Sequence, residues 1–158
     1  MTKKFNHYLG KAGHLAIMSE FLIRGWNVAI PEVDIGDDIF VVEDENGTMK
    51  RVQVKTSSIT ERKNAYSAQF QIPVKQLQKI SQSPIYYIFI ARKDDVWTKP
   101  LIIPQVKLFD EIEKNNVGSQ HKDYINLYFS YSENKIVCSS QDFTKYIADY
   151  SDFPIIEH

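Results

Sequence analysis

The feature that most restricts the fold is a run of seven consecutive apolar residues, 85–91, between Pro84 and Arg92. The run is far shorter than the roughly 20 residues that a helix needs to cross a bilayer. Side chains alternate between the two faces of a strand, so a strand that is apolar at every position is buried on both faces. The run therefore predicts a central strand with packed layers on both sides, as in α/β proteins.

The beginning of the chain predicts one long helix. Apolar residues follow a helical period over residues 6–24, and Gly25-Trp26 ends the helix with the glycine that commonly follows a helix C-terminus. The residues predicted on its packed side are Leu15, Ile17, Met18, Phe21 and Leu22, and His14 falls inside the same sector.

A β-hairpin is predicted after the helix. Residues 26–31 predict a short strand that ends at a proline, and residues 34–37 predict a turn. Residues 38–43 and 49–56 then predict two paired strands, because Asn46-Gly47 between them is a strong hairpin-turn signal.

The second half of the chain alternates between predicted strands and helices. Residues 57–68 are polar and predict a loop, residues 70–72 a short pairing, and residues 73–81 a helix with Pro73 in its first turn. Further strands are predicted at 99–103, 124–131 and 135–138, and further helices at 105–114 and 142–150. The order α-β-β-β-α-β, followed by C-terminal strand and helix additions, predicts an α/β fold in which helices flank a mixed sheet.

Composition fits a single domain over residues 1–158. The chain is 43% hydrophobic and 25% charged, and a chain of this length usually builds one core. Residues 1–5 lack the apolar stretch of a secretory signal. Cys138 is the only cysteine, which excludes an internal disulfide and a cysteine-based zinc site. We therefore expect a cytoplasmic protein with no membrane segment.

Charge is unevenly distributed along the chain. Residues 1–49 carry four Lys/Arg and eight Asp/Glu, and residues 108–158 carry four and nine, whereas residues 50–107 carry eleven and three, a balance of +8. A basic middle between acidic ends is an electrostatic pattern that fits a polyanion. The pattern supports a nucleic-acid partner.

Three polar residues are expected to converge in the hairpin. Gln53 and Lys55 alternate with Val52 and Val54, so they share one face, and the pairing across the turn places Asp38 near them. Carboxylate and amide oxygens bind a hard cation such as Mg²⁺ or Mn²⁺, and Lys55 can position or activate an attacking water. Each residue alone is typical of a turn or a solvated strand face. Their joint spacing favours a site for phosphodiester hydrolysis.

These elements and motifs together resemble the PD-(D/E)XK nuclease superfamily. The resemblance covers about residues 8–90 and rests on the helix that ends at Gly25-Trp26, the segment from Pro31 to Asp38, and Gln53-Val54-Lys55-Thr56. Within the superfamily the chain is similar to Holliday-junction-resolvase-like and restriction-endonuclease-like proteins, including homing endonucleases with glutamine in the third motif.

The resemblance implies a Mg²⁺-dependent DNA endonuclease. In this interpretation Asp38 binds the metal, Gln53 and the Val54 carbonyl complete the site, and Lys55 assists the water. His14 stands where the superfamily usually has a helix-one glutamate, and some members use a histidine there as a ligand. Because Gln53 also replaces a carboxylate, we include Asp34 as a second-rank ligand, which a bend at Gly36 would fold back toward the site.

The basic segment also supplies candidate contacts to DNA, while Asp37 is expected to be solvated. The residues predicted to contact the nucleic acid are Lys50, Arg51, Ser57, Ser58, Arg62, Lys63 and Lys75, with Thr56 and Lys79 as further candidates. A homodimer is expected only by analogy with nucleases of this size.

Two other functions stay open at this point. One is a catalytically inactive nucleic-acid-binding module of the same fold, because the candidate site is poor in acidic residues. The other is an interaction protein without a nucleic-acid role, for which the +8 balance of the middle segment would be accidental.

Overall fold

The computed structural model describes residues 3–33, 36–63 and 65–158. The helices are α1 (Lys3–Ile23), α2 (Val74–Leu77) and α3 (Gln105–Asn115). The strands are β1 (Asn27–Ala29), β2 (Ile39–Glu43), β3 (Thr48–Ser58), β4 (Thr60–Arg62), β5 (Ala65–Pro73), β6 (Ile85–Lys93), β7 (Val96–Trp97), β8 (Leu101–Pro104), β9 (Ser119–Gln120), β10 (Tyr124–Tyr131), β11 (Ile136–Cys138) and β12 (Gln141–Asp142). Within the described residues, β1, β2, β3, β6, β7 and β8 form one sheet, and the other six strands form a second.

The apolar run at 85–91 forms most of β6, in the interior of the first sheet. β6 pairs in parallel with β3 and antiparallel with β8, so this sheet is mixed. Its side chains alternate between two hydrophobic cores, with Tyr87 and Phe89 in one and Ile88 and Ile90 in the other. The prediction of a strand buried on both faces is confirmed.

Helix α1 packs on one face of the first sheet, but along a different line from the one predicted. Leu15 and Leu22 are each 54% exposed, whereas Gly13, Ile17 and Phe21 are buried. The buried three are spaced four residues apart and form one stripe. The small Gly13 lets this stripe approach the sheet closely, which turns the two leucines toward solvent.

The hairpin predicted around Asn46-Gly47 is present. β2 and β3 pair antiparallel from this turn to the pair Ile39–Val52, and Gly47 adopts a φ of +70°. β3 continues to Ser58, well past its pairing with β2. The part of β3 after Val52 thus has an edge that β2 leaves open, and the candidate site lies there.

The polar segment 57–68, predicted as a loop, lies mostly in strands β3, β4 and β5 where the structure describes it. β4 pairs with β5, and β5 pairs with β10 along eight residue pairs. The short pairing predicted at 70–72 is part of the nine-residue strand β5. Phe70 and Ile72 face the core between the two sheets. Pairing with a strand that is distant in sequence, such as Tyr66 with Tyr131, overrides the polar composition of the segment, and a local pattern does not reveal this pairing.

Two predicted helices are much shorter than expected. The one predicted over 73–81 is a single turn, Val74–Leu77, preceded by Pro73. The one predicted over 142–150 is wrong, because only a 3-10 turn forms, Thr144–Tyr146. The chain then becomes extended, since Ile147 forms a β-bridge with Leu101.

The C-terminal part of the chain packs into the same two cores as the rest. Leu127 and Phe129 of β10 contribute to the core between the sheets. Phe153 is fully buried under α1, where it contacts the rings of Phe21 and Trp26. In the three described ranges, no helix combines the length and apolarity needed to span a bilayer.

Candidate functional site

Asp38 lies just before β2, at the open edge of β3. Its main-chain N–H donates to the Val52 carbonyl at 3.0 Å, next to the hairpin ladder. Its carboxylate accepts the main-chain N–H of Val54 at 2.7 Å and the side-chain amide of Gln53. The Asp38 side chain is 14% exposed. The position of Asp38 is thus fixed by β3, and its carboxylate is still partly accessible.

Gln53 contributes a buried amide beside this carboxylate. The residue is 4% exposed, and its Nε2 donates to Asp38. Its Oε1 is buried and has no hydrogen-bond partner among the residues that the structure describes. A buried acceptor without a partner costs about 1–3 kcal/mol, so native proteins contain few of them. This oxygen can therefore accept a bond from a group that binds at the site.

Helix α1 brings His14 to the same carboxylate. The Nε2 atom of His14 lies 3.6 Å from Oδ2 of Asp38, and the His14 side chain is 22% exposed. The helix comes this close because Gly13 packs directly on Thr56 of β3. A Cβ added at Gly13 would lie only 3.2 Å from the Thr56 Cβ. The imidazole can either donate to Asp38 or act as a metal ligand.

Lys55 is on the same face of β3 as Gln53, and α2 holds its ammonium. The Nζ atom donates to the Oε1 of Gln76 at 3.1 Å. Gln105 in turn donates to the main-chain carbonyls of Gln76 and Leu77, at 3.3 and 2.6 Å, and so fixes the short α2 turn. Lys55 is therefore positioned by a residue 21 positions away in sequence.

Asp37 is buried, contrary to the expectation that it would be solvated. It is 2% exposed, and its Oδ2 accepts the Arg51 guanidinium and, at 3.1 Å, the Lys79 ammonium. The Nη1 of Arg51 also donates to Ser81 at 2.9 Å. Two cations compensate the burial of this carboxylate, which is the condition for a stable buried charge. The network fixes the chain immediately before Asp38.

Tyr87 on β6 is a buried phenol whose pKa is affected by the carboxylates of Asp37 and Asp38. It lies opposite Gln53 in the parallel ladder and is 1% exposed. Burial raises the pKa of its phenol, and the negative charges of Asp37 and Asp38 raise this pKa further. Tyr87 therefore stays protonated beside the two carboxylates.

Val54 adds a main-chain oxygen at the same edge. The N–H and C=O of a residue in an extended strand point to the same side, and the Val54 N–H points to Asp38. Asp38, Gln53 and Val54 thus offer a carboxylate, an amide and a carbonyl oxygen, the kinds of ligand that Mg²⁺ prefers. No cluster of three or more His, Cys, Asp or Glu side chains occurs in the described ranges. Asp34, the predicted second carboxylate, lies outside them.

Some of the predicted nucleic-acid contacts are at the surface near Lys55. Ser57 and Ser58 line a cleft of about 820 Å³ together with Lys55 and Thr56. The remaining exposed cations of this group are Arg62, Lys63 and Lys75.

Lys50 and Arg51 are half-buried and are instead engaged with other groups of the protein. The Lys50 ammonium donates to the Asp152 carbonyl and lies 4.6 Å from the centroid of the Phe153 ring. Burial lowers the pKa of Lys50. Arg51 points to Asp37, as described above. Arg51 thus balances a buried carboxylate, and Lys50 contacts the C-terminal part of the chain.

The sequence interpretation missed three residues that shape the site. Gln76 and Gln105 have no recognisable motif, because they reach the site only when α2 packs against β5 and α3 packs against the first sheet. Gly13 directly precedes His14, and a glycine inside a helical pattern is a signal of close packing that could have been used.

Comparison with solved structures shows a similarity in fold. No protein-family model matches the sequence, and no curated protein matches it. Among solved structures, the bacterial homing endonuclease I-Ssp6803I is similar to this chain, with a TM-score of 0.51 and 17% sequence identity. The similarity covers 90% of this chain and 86% of the endonuclease chain. At this identity it shows a shared fold, a mixed α/β arrangement that spans nearly the whole chain.

Proposed function

We propose that the protein is a metal-dependent DNA endonuclease of the PD-(D/E)XK superfamily. The observation that carries the proposal is the convergence of Asp38, Gln53 and the Val54 main chain at the open edge of β3, with a buried Gln53 oxygen that has no partner within the described residues. The fold shared with a homing endonuclease supports the same assignment.

The oxygen atoms at this edge fit Mg²⁺ or Mn²⁺. Asp38 would supply the carboxylate, and Gln53 and Val54 neutral oxygens, with His14 as a further ligand. Mg²⁺ is commonly held by one or two protein carboxylates together with substrate phosphates. A site with a single described carboxylate therefore fits an ion that binds together with DNA. When bound, such an ion polarises the phosphate and promotes ionisation of a water.

Lys55 would act on the attacking water or on the phosphate. It is two residues after Gln53 and therefore on the same face of β3, and the Gln76 oxygen orients its ammonium. A fixed cation near the scissile phosphate favours the transition state, in which negative charge builds up on oxygen. General acid–base assistance of this kind typically contributes a factor of about 10² to 10⁴.

One observation favours a second candidate, a nucleic-acid-binding module without catalytic activity. The Asp38 carboxylate already accepts two N–H groups of the protein, from Gln53 and Val54. These bonds stabilise the carboxylate in the absence of an ion, and a cation would have to compete with them. In this case the basic segment would bind DNA and the site would not cut it.

A cleavage assay separates the two candidates. Supercoiled, branched and single-stranded DNA would be incubated with the protein and Mg²⁺ or Mn²⁺, using wild type, Asp38→Ala, Lys55→Ala and the control Lys107→Ala. Lys107 is an exposed lysine on α3, and its variant should cleave like wild type. We expect the two site variants to lose at least about 100-fold in rate.

The other outcomes are equally informative. Salt-sensitive DNA binding without cleavage by wild type would identify the binding module. Cleavage that survives in Asp38→Ala would show that the hydrolytic centre is elsewhere. A protein that neither binds nor cuts DNA would leave a protein-interaction role.

A further inference from the structure

The cleft beside Lys55 forms where two strands separate. β4 and β5 pair up to Thr60 opposite Ser67, and beyond this pair β3 continues into the first sheet and β5 into the second. The space between them is the cleft of about 820 Å³, and Asn6 of α1 contributes to its lining. Lys55 lines it as well, so the cleft and the candidate catalytic site share this residue.

The chemistry of the cleft is that of amides and hydroxyls. Its polar lining includes Asn6, Ser57, Thr60, Gln69 and Gln71, and Lys55 is the one charged side chain that the described residues contribute to it. Such a surface suits a ligand with many hydrogen-bonding groups and an anionic backbone. It does not suit an apolar ligand or a compact polyvalent anion.

Gln69 and Gln71 are presented outward by the alternation of β5. Both glutamines are exposed. The alternate residues Phe70 and Ile72 are 2% and 0% exposed and belong to the core. Gln69 lies opposite Tyr128 of β10, which is 50% exposed. The two glutamines are thus held on a rigid strand without contributing to the core that stabilises it.

We infer that Gln69 and Gln71 read base edges of duplex DNA whose backbone enters the cleft toward Lys55. The inference rests on the proposed function and deepens it from cleavage to sequence recognition. Glutamine side chains form bidentate hydrogen bonds with the N6 and N7 atoms of adenine in the major groove, and strands are an established means of entering that groove.

The surrounding charges and main chain agree with this occupant. Arg62, Lys63 and Lys75 are exposed at the two ends of β5, where they can contact phosphates on either side of the glutamines. The Thr56 N–H points to the open edge of β3, two residues after the Val54 N–H that donates to Asp38. The phosphate that reaches Lys55 is thus placed by contacts on both sides of the cleft.

Selection from a duplex library tests this inference. Wild type, the double variant Gln69→Ala/Gln71→Ala and the control Gln82→Ala would each select from 30-base-pair duplexes with a randomised centre, with Ca²⁺ replacing Mg²⁺. Gln82 is an exposed glutamine in the loop before β6, outside the cleft. Urea unfolding would show that all three proteins are equally folded.

Wild type and Gln82→Ala should enrich the same motif with adenine at one or two positions. The double variant should lose the adenine preference by about 5- to 100-fold at each position, with an unchanged salt dependence of binding. The Gln69→Glu variant should enrich a motif that has cytosine in place of adenine at one position, because a carboxylate accepts a hydrogen bond from the cytosine N4 donor. The same motif and affinity in the double variant, or no enriched motif with wild type, would overturn the inference.

Cleavage with Mg²⁺ on the selected duplex separates this inference from the proposed function. If wild type cuts the duplex but the double variant selects the same motif as wild type, the endonuclease proposal stands and the role of the glutamines is overturned. If the selected motif depends on Gln69 and Gln71 but wild type does not cut the duplex, the role of the glutamines stands and the hydrolytic proposal is overturned.

Discussion

Gly13→Ala tests the contact that brings the first helix to the candidate site. A Cβ at this position would lie 3.0 Å from Cγ2 and 3.2 Å from Cβ of Thr56, closer than the ordinary contact range that begins at 3.4 Å. Rotation about χ1 of Thr56 does not move its Cβ, so the helix itself has to shift. Gly10→Ala is the matched control, because a Cβ at Gly10 meets nothing within 4 Å.

The expected effects follow from two opposing terms. Replacing glycine by alanine inside a helix stabilises it by up to about 1 kcal/mol, and this term is the same for both variants. Overpacking costs about 1–3 kcal/mol and applies only to Gly13. The free energies of unfolding of the two variants should therefore differ by about 1–3 kcal/mol. For a chain of this length the difference corresponds to roughly 2–12 °C in Tm.

Urea unfolding of the two variants measures this difference, and a second substitution tests its cause. Thr56→Ala removes two of the three atoms that the new Cβ would meet, Oγ1 and Cγ2, and leaves the Thr56 Cβ at 3.2 Å. The Thr56 hydroxyl is buried and has no hydrogen-bond partner in the described part of the chain, so its removal breaks no bond. Gly13→Ala/Thr56→Ala should therefore recover the part of the lost stability that is due to Oγ1 and Cγ2. Equal stability of Gly13→Ala and Gly10→Ala would refute the close approach of helix and strand.

Two further predictions concern buried groups. Asp37→Ala should lower the free energy of unfolding in urea by about 3 kcal/mol, because it leaves the Arg51 cation without its buried partner. The control Asp110→Ala breaks an exposed pair with Lys114 and should cost at most about 1 kcal/mol. Similar costs for both variants would argue against the buried network. Burial raises the pKa of the Cys138 thiol. A thiol-specific reagent at pH 8 should therefore react far more slowly with the folded protein than with the protein in urea. Equal reaction rates would contradict the burial of Cys138.

Much of the first sheet could be predicted from local patterns. The apolar run at 85–91 predicts a strand buried on both faces, and Asn46-Gly47 predicts the hairpin, because both signals depend on residues close in sequence. The register of that hairpin brings Asp38 to Gln53, as the spacing implied. The catalytic role of these residues stays a proposal.

Other parts of the fold carry no local signal. The segment 57–68 is polar and was expected to be a loop, yet it pairs within a second sheet whose partner strand is distant in sequence. The predicted apolar side of α1 is confirmed for Ile17 and Phe21, whereas Leu15 and Leu22 follow the helical period but face solvent. Periodicity locates an apolar sector, whereas the side that packs depends on what the sheet presents to it.

The sequence by itself determined the elements that one stretch of chain can specify, namely the first helix, the hairpin and the central strand, together with the types of residue at the candidate site. Only the tertiary structure decided that Asp37 is buried between two cations, that Gln76 holds Lys55, and that a polar cleft opens beside this lysine. The physical reason is separation along the chain. Burial, ion pairing and cleft shape depend on groups that meet only after folding, whereas helical and strand periods are set by neighbouring residues.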